Sequence, residues 1–100
     1  MTLDQIVATL RTLGYSVLWA EETEDQYVIG FDFMNNRETP WTRAFHLDKV
    51  HATPGLFIAE INAWKDDMKS RLSKGEVSLT MHNVIQHYGA QRLHDFLAAA

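Results

Sequence analysis

The side chains best suited to chemistry are five histidines, His46, His51, His82, His87 and His94, and three adjacent acid pairs, Glu21/Glu22, Glu24/Asp25 and Asp66/Asp67. Two imidazoles share one helix face, and so can hold a metal, when they stand four residues apart. His82 and His87 are five apart, and His87 and His94 are seven apart with Gly89 between them. Neither spacing makes a ligand set. Acid–base catalysis needs two carboxylates in different surroundings facing one cleft, whereas neighbouring acids at a hairpin tip are ordinarily solvated. Ser16, Ser70, Ser73 and Ser78 stand outside any Gly-x-Ser-x-Gly context, so a nucleophile elbow is not expected. There is no cysteine and no glycine-rich phosphate loop. The residues therefore point away from an enzyme, a metal site or a cofactor. A small enzyme would instead require a concave pocket where two titratable groups converge, His82, His87 or His94 among them.

Charge narrows the partners. A net charge of -4 offers no general attraction to nucleic acid. The acids are concentrated early: Asp4, Glu21, Glu22, Glu24, Asp25 and Asp32 precede residue 37, against Arg11 as the base. Such a front half steers a basic partner or is simply a solvated face and hairpin tip. With 46% hydrophobic and 22% charged residues, the chain has the composition of a globular protein. One hundred residues suit a single α+β domain over 1–100 with one core. The absence of cysteine fits the reducing cytoplasm. No apolar run reaches the roughly 18 residues that would span a bilayer, and Met1-Thr2-Leu3-Asp4 has no basic n-region, so neither membrane span nor secretory signal is expected.

The elements that must position these side chains follow from hydrophobic period. Leu3, Ile6, Val7, Leu10 and Leu13 recur at helical spacing. Thr2 serves as N-cap and Gly14 ends the helix. Three stretches then alternate: Tyr15 to Trp19, Tyr27 to Met34, and Trp41 to Leu47. Short polar joins at 21–25 and 35–40 make them an antiparallel meander. A second helix starts at Thr53-Pro54, with proline at N1 where its missing N–H costs nothing. Its inward stripe is Phe57, Ile61 and Trp64. It runs either through Met68 and Leu72 to Gly75, or stops near Asp66-Asp67 with residues 68–73 forming a strand. A further strand is expected over Glu76 to Met81, where Val77, Leu79 and Met81 alternate. A C-terminal helix over 90–99 closes the chain, with Leu93, Phe96 and Leu97 inward.

In the meander, Tyr15, Val17 and Trp19 share a face, as do Tyr27, Ile29, Phe31 and Phe33. Packing explains most of these aromatics. A three-stranded sheet with helices on one side leaves its other face open, and Leu18, Val28 and Met34 fall on that opposite parity. Exposed apolar patches and strand edges mark partner surfaces. Leu18, Val28, Met34 and Trp41 are accordingly the expected partner-binding residues.

The order helix, three strands, helix, one or two strands, helix resembles the type III secretion chaperone-like fold, and within it the YbjN family of bacterial sensory-transduction regulators. Thr2 to Ile6 through Leu13-Gly14-Tyr15 is similar to that family's first helix and glycine exit. Ile61-Asn62-Ala63-Trp64-Lys65 is similar to its Asn-x-Trp-Asn helix end, with Lys65 where the family prefers asparagine. Gly75-Glu76-Val77-Ser78-Leu79, Tyr88-Gly89-Ala90 and Leu93 to Leu97 resemble its late strand and final helix. The resemblance implies a non-enzymatic, homodimeric, protein-binding module of bacterial origin, a chaperone or regulatory adaptor. A small inhibitor or immunity-type protein fits the same residues. Nucleic-acid binding is the other alternative, because helix, three strands, helix is also the order of the double-stranded RNA-binding domain. That module needs lysines at the start of its last helix. Thr53 to Phe57 has none, and Arg37, Arg43 and Lys49 supply a modest patch near the third strand.

Overall fold

In the computed structural model, residues 1–34, 36, 38 and 41–99 are described. The fold is α+β. Among the described residues seven elements follow one another: α1 (Leu3–Thr12), β1 (Val17–Glu22), β2 (Gln26–Asp32), β3 (Thr42–Asp48), α2 (Pro54–Ser73), α3 (Leu79–Tyr88) and α4 (Ala90–Ala98). The strands form one antiparallel sheet in the order β1-β2-β3. Where one domain is expected over 1–100, the chain divides into two compact units, residues 1–60 and 61–100, with the boundary inside α2.

The first unit begins with a capping box. Gln5 N donates to Thr2 Oγ1 and Thr2 N donates to Gln5 Oε1, which satisfies two amides that have no partner within the helix. Ile6, Val7 and Leu10 are buried, while Leu13 is the C-cap and is exposed rather than part of the inward stripe. Tyr15 N then donates to Leu10 O and Gly14 N to Arg11 O, closing the helix with a Schellman motif. Helix α1 packs on β1.

The sheet departs from simple alternation at one point. Between Val17 and Trp19 the register with β2 slips, so Leu18 is the extra residue of a β-bulge. Val17 lies opposite Phe31, but Trp19 lies opposite Gly30. The expected shared face of Val17 and Trp19 is therefore not formed. One face carries Val17, Ala20, Tyr27, Ile29, Phe31, Phe45 and Leu47. The other carries Trp19, Glu21, Val28, Gly30, Ala44 and His46. Gly30 sits mid-strand because the Trp19 indole lies directly on it, in the space a Cβ would occupy. Gly30→Val is expected to displace that ring and cost about 1–3 kcal/mol, as overpacking does. Urea unfolding reads the loss, and it should shrink in a Trp19→Ala background.

Strand β2 is buried on both faces along nearly its whole length. The open second face expected of a three-stranded sheet is thus closed at its centre. On that face Trp19 covers Gly30, and Val28 is flanked by its cross-strand neighbours Glu21 and His46.

Helix α2 opens with Thr53 Oγ1 accepting from Leu56 N, and it runs unbroken for 20 residues. This resolves residues 68–73 as helix, with Met68 buried. Lys74-Gly75 is the end of that helix and not a hairpin turn: Glu76 N donates to Arg71 O and Gly75 N to Leu72 O, with Gly75 at φ 77°. That left-handed conformation is open to glycine at little cost.

No strand follows. The strand expected over Glu76 to Met81 is replaced by the start of α3, because Ser78 Oγ accepts from Met81 N and caps a helix there. Met81 and Val84 turn inward together while Val77 and Leu79 are exposed. Gly89 at φ 89° and ψ 155° separates α3 from α4, and α3 packs on α4. Leu93 and Leu97 are buried as expected, and Phe96 is half-buried with its ring 6.2 Å from Trp64.

Candidate functional site

Met1, Leu13, Leu18, Trp19 and Val50 are the exposed large apolar side chains of the first unit among the described residues, and of these Leu18 and Trp19 are adjacent on one strand, β1. Leu18 is 44% exposed and Trp19 43%. Of the expected partner-binding residues, Leu18 alone is on the surface. Val28 is 2% exposed, Met34 4% and Trp41 6%, so these three are interior residues and not surface ones. Val28 lies in the doubly covered central strand. Met34 is held in the turn after β2, where its N–H donates to Asp32 Oδ1 at 3.1 Å. Trp41 packs edge-on to Phe33 at 6.3 Å. Trp19, which the alternation assigned to the core face, takes their place beside Leu18. The signal was available in the run Val17-Leu18-Trp19: three successive bulky apolar residues in a strand cannot all face inward.

Backbone geometry makes this an edge. Thr23 N donates to Gln26 O at 2.9 Å, closing the hairpin, and Gln26 N donates to Thr23 Oγ1. From that pair the antiparallel ladder alternates, so the N–H and C=O groups of Ala20 and Glu22 turn away from β2. Asp32 N donates to Ser16 O, which likewise turns the Val17 carbonyl outward, and Arg11 Nη2 donates to it at 3.2 Å. Arg11 thereby closes one end of the edge. Among the described residues no other strand pairs with β1.

The opposite end of the edge is acidic. Glu21, Glu22, Glu24 and Asp25 are all exposed. Lys49 Nζ stands 3.3 Å from Glu22 Oε2 and 5.7 Å from the centre of the Tyr27 ring. Exposed pairs of this kind contribute about 0–1 kcal/mol. Arg43 lies over the Phe45 ring at 5.4 Å. Arg43 and Lys49 do share one side of β3, but Lys49 is engaged by an acid, and Arg37 lies outside the described residues.

The histidines do not gather. All five are exposed, and among the described residues no group of three His, Cys, Asp or Glu side chains could hold a metal ion. One concavity in the second unit collects titratable groups: a groove of about 390 Å³ lined by Lys69, Leu72, Gln91, His94, Asp95 and Leu97. This has the form the enzyme alternative required. Asp95 is already engaged, its Oδ1 accepting from Gln91 Nε2 at 2.8 Å. Beside the groove, Lys65 Nζ donates to Ala99 O at 3.0 Å and lies 4.5 Å from the centre of the Phe96 ring. Partial burial there lowers the Lys65 pKa, with Asp66 opposing and Lys69 reinforcing the shift.

No helix of the described residues is long and apolar enough to cross a membrane. Compared with family models, curated proteins and solved structures, the chain matches none.

Proposed function

We propose that this chain is a non-enzymatic protein-binding module, a chaperone-like or regulatory adaptor, that receives its partner at the outer edge of β1. The observation that carries the reading is Leu18 and Trp19, adjacent and half-exposed on a strand whose outward backbone groups have no paired strand among the described residues. Apolar side chains beside unpaired amides and carbonyls provide both ways of holding an extended chain: burial for affinity and a main-chain ladder for direction. A small inhibitor or immunity-type protein would use the same edge. Against a nucleic-acid binder stands Lys49, which is paired with Glu22. The resemblance, of which the order helix, three strands, helix is present and the late strand is not, adds self-association and a bacterial setting to the proposal, and the absence of cysteine adds a cytoplasmic one.

Two measurements test this. A protein captured from cell extract by the native chain is expected to be lost by a Leu18→Ser, Trp19→Ser double variant whose circular dichroism is unchanged. Capture retained by that variant would remove β1 as the partner surface. Light scattering at two protein and two salt concentrations is expected to give twice the chain mass throughout, because an apolar self-interface resists salt. A monomer under every condition removes the homodimer.

A further inference from the structure

The geometry points to a specific chemistry for the occupant of β1: an extended segment of another protein, with two successive basic residues at one end and apolar residues at the other, added to the sheet as a fourth strand. The inference rests on the protein-binding reading above and adds the character of the partner.

The available stretch is short and its ends differ. At Val17 the outward carbonyl is taken by Arg11, and at Leu18 the bulge interrupts the ladder. What remains is Trp19 to Glu22, with outward backbone groups at Ala20 and Glu22. An incoming strand meets Leu18 and Trp19 at one end and Glu21 and Glu22 at the other. Glu21 shares a face with Trp19 and Val28, and Glu22 shares the opposite face with Tyr27, where Lys49 Nζ stands 3.3 Å from its Oε2 and leaves the carboxylate side chain 54% exposed to a further cation. The acids are therefore successive in sequence but on opposite faces of the sheet. A strand laid beside them places one side chain next to each, so its complement is two successive cations, one per face. Glu24 and Asp25 continue the same sign into the hairpin tip.

A second copy of β1 suits the edge less well. Paired antiparallel about Ala20, so that outward groups meet outward groups, it sets Trp19 beside Glu21 of the other copy. Paired parallel, where an outward residue must lie opposite one that faces away, it is offset by one residue and sets Glu21 beside Glu22 of the other copy. The first places an acid against an apolar side chain and the second opposes like charges.

The test uses the full chain and three capped heptapeptides. One has two lysines followed by alternating threonine and valine; the others carry serine or glutamate in place of the lysines. Amide shifts and hydrogen exchange read which backbone groups are covered. The lysine peptide is expected to protect the amides of Ala20 and Glu22 and to bind at least about tenfold more tightly than the glutamate peptide. The difference should shrink as salt is raised to about 0.5 M. Glu21→Lys with Glu22→Lys should invert the order of the peptides. Equal binding of the lysine and serine peptides at β1 overturns the charge rule and leaves the edge as a partner surface. Protection of β1 in the peptide-free chain, rising with its concentration, makes a second copy the occupant and overturns the inference. No protection of β1 by any peptide overturns both the inference and the edge itself.

Discussion

Phe31→Ala is expected to lower the stability of the protein by about 3–5 kcal/mol, the usual range for deleting a buried ring. Phe31 is fully buried at the middle of the sheet. Its ring meets Tyr15 edge-on at 6.2 Å, Phe45 edge-on at 6.0 Å, and stacks with Phe33 at 5.9 Å. Aromatic pairs in such geometries add about 0.5–1.5 kcal/mol each beyond the area they bury. Truncation therefore removes apolar burial and three ring contacts at once, and leaves a cavity that the paired backbones of β1 and β3 cannot close. Because small domains are stable by only about 5–15 kcal/mol, a loss of this size shifts the urea midpoint far to the left. Phe31→Leu, which keeps much of the volume, should cost about 1–1.5 kcal/mol. A loss below about 1 kcal/mol for the alanine variant would show that the ring is not enclosed as described.

Asp32→Ala is expected to cost about 2–3 kcal/mol, because two amides lose a charged acceptor. Asp32 is the buried charged side chain among the described residues. Oδ1 accepts from Met34 N and Oδ2 from Asn36 N, each at 3.1 Å. One carboxylate so fixes the chain as it leaves β2, while Asp32 N itself donates to Ser16 O across the sheet. Asp32→Asn keeps one acceptor and turns an amide donor toward the other N–H. It should fall between the two, giving the order Asp, Asn, Ala. Thermal unfolding reads that order, and the Met34 amide should exchange faster in both variants. If Asn and Ala cost the same, the Oδ2 contact to Asn36 is the one that matters. If neither costs anything, the turn is held by other means.

These residues also divide what could be read early from what could not. The aromatic face of β2 followed from alternation at Tyr27, Ile29 and Phe31. The role of Asp32 did not, since an aspartate at that parity looks like any solvent-facing residue until the turn folds back onto it. The partner surface shows the same division. Leu18 was legible as apolar on the outer parity, whereas Val28, Met34 and Trp41 looked equivalent to it and are buried. Parity assigns a face, and burial depends on what comes to lie over that face.

The sequence by itself determined the elements whose signals are local. Thr2 and Gln5 cap α1, Gly14 ends it, Thr53-Pro54 begins α2, and two short polar joins make a meander, because hydrogen bonds within a few residues decide each of these. Only the tertiary structure decided the bulge at Leu18, the face taken by Trp19 and the choice of helix over strand after Gly75. A bulge shifts the two-residue period by one and leaves no mark in composition. Val77, Leu79 and Met81 satisfy a strand's alternation as readily as Met81 and Val84 satisfy a helix's period. Ser78 at the N-cap and the packing of α3 on α4 select the helix, and short apolar runs are settled by such contacts rather than by their own pattern.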